Sequence, residues 1–135
     1  LQGVIDKGEW AVTMTHGIRM GYDSFGDETR LWKMFDYALN QALNGKLWIA
    51  TFHDVAAYLQ ERDNTTLKIK ARKNQIMVTP KMKLNKNIFQ VPLTLILDFQ
   101  PIKATQAGKN LAVKYKDEKY LIQIEPSKGK VIISR

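Results

Sequence analysis

Thr65-Thr66-Leu67-Lys68-Ile69-Lys70-Ala71-Arg72-Lys73-Asn74-Gln75-Ile76-Met77-Val78-Thr79 is the stretch on which the fold turns. Leu67, Ile69 and Ala71 alternate with Lys68, Lys70 and Arg72, so successive side chains point to opposite faces of a strand, one apolar and one solvated. Lys73-Asn74 interrupts the alternation as a turn, and a second apolar run follows at 75–79. Outward from this pair, the same signature recurs at 93–99, 102–106, 111–115, 120–124 and 131–134. Turns at Ala107-Gly108-Lys109-Asn110, Asp117-Glu118 and Pro126-Ser127-Lys128-Gly129 separate the later runs. Seven short strands over about 70 residues with this turn spacing predict a small antiparallel β-sandwich.

Upstream, the period changes from two to that of a helix. Leu31, Phe35, Ala38, Leu39 and Ala42 share one helical face, with Asp27 and Glu28 at the positive end and Asn44-Gly45 as the stop. A second helix is predicted over 55–62, entered through Thr51-Phe52-His53-Asp54, and Leu1, Val4 and Ile5 before Gly8 read as the tail of another. Residues 10–15 and 47–52 are short apolar runs of the kind buried in parallel sheets. The order strand, helix, strand, helix predicts a βαβ unit that cannot enclose a core alone. The chain begins at Leu1 rather than Met, and with the partial helix this leads us to expect further sequence upstream.

Charge marks the same boundary. Residues 1–63 hold six Lys/Arg against nine Asp/Glu, a net −3, whereas residues 64–135 hold fifteen against four, a net +11. The junction falls in the polar stretch Arg62-Asp63-Asn64-Thr65-Thr66, which predicts domains at 1–63 and 64–135. A hydrophobic content of 44% is that of a globular chain, and no apolar run approaches the roughly 20 residues of a bilayer span. The absence of cysteine excludes disulfides and thiolate metal sites. Lysines opposite apolar residues on strands are what a solvated sheet face requires, and no RNA-recognition or oligonucleotide-binding motif accompanies them, so nucleic acid is not an expected partner.

His16 is the leading chemical candidate, because it follows a predicted buried strand at the end where α/β folds place functional groups, and imidazole exchanges protons near neutrality. A structural histidine is the alternative. Residues 10–18, the helix after them, and Lys46-Leu47-Trp48-Ile49-Ala50-Thr51-Phe52 through Tyr58-Leu59-Gln60-Glu61-Arg62 resemble the end of the polysaccharide deacetylase family. The Trp-Ile-Ala-Thr-Phe and Tyr-Leu-Gln-Glu-Arg segments carry this resemblance, which covers about residues 1–63, and residues 64–135 look like an appended β-domain.

The resemblance implies a distorted (β/α) barrel, a divalent metal with zinc the expected ion, and hydrolysis of N- or O-acetyl groups from a sugar. It casts His16 as the general acid that protonates the departing amine or alcohol, and Met14 as a wall of the acetyl pocket, where the family usually has leucine. An Asp-Asp pair, His-x-x-x-His and Arg-x-Pro-Tyr are absent from the 135 residues, so no metal ligand is assigned in this chain and the chain alone is expected to be inactive. His53, the other histidine, ends the second predicted strand and is read as a partly exposed residue of the helix-entry turn, the alternative being a residue that borders the same cleft as His16. Tyr22, Asp23 and Asp27 are better read as turn and cap residues than as sugar contacts, and Trp32 and Trp48 as packing residues.

The combined expectation is an α+β chain: the last two strand-helix units of a deacetylase barrel, followed by a β-sandwich. An acetylated glycan is the expected partner of the whole protein, self-association through the open barrel faces is expected, and export is the expected location. The rival class is a non-catalytic glycan-binding or adhesion module.

Overall fold

A computed structural model describes residues 1–14 and 28–135. The chain is mixed helix and sheet with every strand pair antiparallel, an α+β arrangement. It divides into two compact units, Leu1–Phe52 and His53–Arg135.

The first unit contains helices α1 (Gln2–Lys7) and α2 (Glu28–Leu43). Both end in the same device. Gly8 and Gly45 take left-handed backbone angles (φ 64° and 68°). Glu9 N–H bonds Val4 O while Gly8 N–H bonds Ile5 O, and Lys46 N–H bonds Gln41 O while Gly45 N–H bonds Ala42 O. These paired bonds are Schellman motifs, which satisfy the last carbonyls and stop each helix where the sequence places glycine. The Tyr37 hydroxyl donates to Gln2 Oε1, tying α2 to α1.

The expected strands at 10–15 and 47–52 are not formed among the described residues: residues 10–14 and 47–51 enter no ladder, and Phe52 already begins a helix. The physical reason is that an apolar, β-branched run supplies a tendency, while a strand exists only through the backbone bonds of a partner. The helical face anticipated on α2 is also largely uncovered. Leu31 is buried, but Phe35 and Leu39 are 43% and 53% exposed.

Helix α3 (Phe52–Asp63), all but its first residue in the second unit, leads into β1 (Thr65–Arg72), β2 (Gln75–Met82), β3 (Leu93–Leu97), β4 (Lys103–Gln106), β5 (Lys109–Asn110), β6 (Val113–Lys116), β7 (Lys119–Ile124) and β8 (Val131–Ser134). One sheet has the order β1-β2-β8-β4-β5 and the other β3-β7-β6, so the chain crosses repeatedly between them. Val78, Ala104, Val131 and Ile133 from the larger sheet join Leu93, Ile122 and Ile124 from the smaller in one buried cluster. Burying each of the larger aliphatic side chains contributes about 1.5–3 kcal/mol. The alternation on β7 and β8 is the cause: Ile122 and Ile124, then Val131 and Ile133, turn inward while Gln123 and Ile132 turn out.

Two connections are two-residue loops with both residues in the left-handed region, Ala107-Gly108 (φ 48° and 76°) and Asp117-Glu118 (φ 49° and 61°). This is the turn whose twist matches that of antiparallel strands. Contacts divide the chain at Phe52, whereas the charge changes at residue 64. Most of α3 goes with the sheets because Tyr58 packs on their cluster and the Glu61 carboxyl accepts the Val91 N–H at 2.6 Å. Asn64 completes the junction: its side-chain amide donates to Gln60 O at 2.9 Å, and its carbonyl accepts Lys83 N–H at 3.1 Å, prolonging the β1–β2 ladder.

Candidate functional site

The catalytic candidate His16 lies outside the described residues, as do Tyr22, Asp23 and Asp27. Met14, expected to wall an acetyl pocket, is 81% exposed. His53 stands on the first turn of α3 with its side chain 85% exposed and Nδ1 3.5 Å from Asp54 Oδ1, a surface pair. Trp32 and Trp48, expected to pack, are each more than half exposed, although the Trp32 ring meets Phe35 edge-on at 5.9 Å. Among the described residues no three His, Cys, Asp or Glu side chains converge on a point where a metal could be held. No chemical step is assigned to the divalent ion implied by the family resemblance.

What the structure does assemble is a cleft of mixed apolar and polar lining in the second unit, about 490 Å³ in volume. Its floor contains Leu111 and Leu121, and Thr94, Lys114, Lys116 and Gln123 contribute polar groups. Strand pairing explains the grouping. Thr94 lies opposite Gln123 across β3–β7, and Lys114 lies opposite Leu121 across β6–β7, so these residues share the sheet face turned away from Ile122. The smaller sheet thus uses one face for the core and the other for the cleft.

Gln106 fixes the far wall. It is 5% exposed, and its amide donates to Glu125 O at 2.8 Å and Gly129 O at 3.0 Å while accepting Glu125 N–H at 3.0 Å. One side chain thereby satisfies three backbone groups flanking the 3-10 turn Pro126–Lys128. The Glu125 carboxylate is held by Lys128 at 2.6 Å. Lys116 lies 3.8 Å from the exposed Asp117, and Lys114 makes no ion pair among the described residues. At the end of α3 the Arg62 guanidinium, bonded to Asp63 at 2.8 Å, is pushed further above its already high pKa by that hydrogen bond.

Sequence reasoning did not single out this cleft. Its signal was the pair Lys114 and Lys116, the first on the predicted strand 111–115 and the second just past its end, but the same spacing on β1 marks a solvated edge. Gln106 carried a weaker signal, lying two residues from Ala104 and thus on the inward side of its strand. Compared with family models, with curated proteins and with solved structures, the chain has no match.

Proposed function

We propose that residues 1–63 are the closing part of a metal-dependent carbohydrate deacetylase barrel and that residues 64–135 form its appended β-sandwich. The chain then belongs to a hydrolase that removes N- or O-acetyl groups from a glycan, with the metal ligands supplied outside these 135 residues. In this reading His16 protonates the departing group, and Met14 offers an apolar surface to the acetyl methyl. A role on surface glycans makes export the proposed location.

One observation carries the proposal beyond the resemblance. Trp10, Val12 and Met14 are 44%, 62% and 81% exposed, and Trp48, Ile49 and Phe52 are 55%, 58% and 64% exposed, on or beside segments that enter no ladder. Exposed apolar surface on this scale is normally covered, and the inner and outer layers of a barrel would cover it. The Trp10 and Phe52 rings already meet, 5.0 Å apart and tilted by 40°.

The test is the coding DNA upstream of the Leu1 codon. An Asp-Asp pair and a His-x-x-x-His motif there support the deacetylase; their absence sinks it. The second reading, a non-catalytic glycan-binding module, is favoured by the cleft on the smaller sheet, which contains binding groups without a reactive constellation.

A further inference from the structure

We infer that the cleft of the second unit is a binding site for an acidic sugar, a short uronate-type chain. Its volume of about 490 Å³ falls within the usual range for small-molecule sites. The ligand class follows from the side chains. Thr94 and Gln123, paired across β3–β7, present a hydroxyl and an amide that both donate and accept, as a polyhydroxyl ligand requires. Among the described residues no aromatic ring lines the cleft, so they offer none of the stacking that holds neutral sugars.

Charge supplies the affinity instead. Lys114 and Lys116 line the cleft from β6, and the carboxylate that also lines it, Glu125, is already held by Lys128 at 2.6 Å. The net charge of +11 over residues 64–135 adds attraction at longer range. The walls are set before any ligand arrives, since Gln106 pins both ends of the turn behind Glu125 with three hydrogen bonds. The polyhydroxyl part of this inference rests on the glycan reading above. The site itself uses only residues of the second unit, so its failure and the failure of the deacetylase reading are separate outcomes.

The experiment is titration of the isotope-labelled chain with trigalacturonic acid, followed by amide NMR shifts at about 100 mM salt, with maltotriose and sodium sulfate as parallel titrants. The inference predicts saturable shifts concentrated at Thr94, Lys114 and Gln123, with weaker binding of both controls. Lys114→Gln weakens the acid sugar about tenfold, as loss of one charge-assisted hydrogen bond should. Lys68→Gln, on the opposite edge strand of the other sheet, leaves the affinity unchanged. Equal losses in the two variants would mean diffuse attraction and would overturn the site. Equal affinity for maltotriose would overturn the role of charge, and equal affinity for sulfate would overturn the sugar.

Discussion

Replacing Gln106 by leucine removes a hydrogen-bonding hub while nearly preserving side-chain volume. Gln106 is 5% exposed, and its amide serves Glu125 O, Gly129 O and Glu125 N–H at 2.8–3.0 Å. In the Gln106→Leu variant these three backbone groups lose their partner together. Each buried orphan costs about 1–3 kcal/mol, and Glu125 and Gly129 are only partly buried, so water recovers some of the loss and the net penalty is about 2–4 kcal/mol. For a unit of this size that is a large share of a total stability of about 4–12 kcal/mol and lowers Tm by about 10–20 °C. Urea unfolding followed by far-UV circular dichroism reads the effect. Tryptophan fluorescence does not, because Trp10, Trp32 and Trp48 all belong to the first unit. A Gln106→Leu chain within about 0.5 kcal/mol of the parent would show that these bonds are exchanged for water at no cost, refuting the argument for a pinned turn.

Glu61 offers a second buried test, since it is fully buried with Oε1 on Val91 N–H and Oε2 without a partner among the described residues. Glu61→Gln keeps the Val91 bond and is expected within about 1 kcal/mol of the parent, whereas Glu61→Leu orphans that N–H and costs about 1–3 kcal/mol by the same urea assay. In the Asp117-Glu118 turn, Glu118→Gly relieves a left-handed residue at φ 61° and should stabilise by about 1 kcal/mol, raising Tm in calorimetry. The exposed apolar surface of the first unit predicts concentration-dependent self-association of the isolated chain by light scattering; a strict monomer at high concentration contradicts it.

Elements whose signal is local were legible. The α2 periodicity closing at Gly45, the existence of strand β1, the alternation on β7, and the turns at Lys73-Asn74 and Asp117-Glu118 each depend on residues a few positions apart, although the apolar side expected of β1 is not buried, Leu67 and Ile69 being 42% and 61% exposed. Pairing was less legible. Residues 10–14 and 47–51 have the composition of strands yet enter no ladder, because a strand needs a partner that composition does not name. The run at 111–115 belongs only in part to β6, and Lys109-Asn110, read as turn, forms β5 opposite Thr105 and Gln106. Single buried polar residues were least legible. Glu61 lies four residues after the buried Ala57 on one helical face, but only the arrival of Val91 gives its carboxyl a partner. The role of His16 comes from the family resemblance alone, and that residue lies outside the described positions.

The most direct test of the account is acetate release from an acetylated glycan by the complete gene product encoding these residues, compared with its His16→Ala variant. The deacetylase reading predicts metal-dependent release and a fall in kcat of about 10²–10⁴-fold on losing the general acid. No release by the parent protein, or undiminished release by His16→Ala, would contradict it.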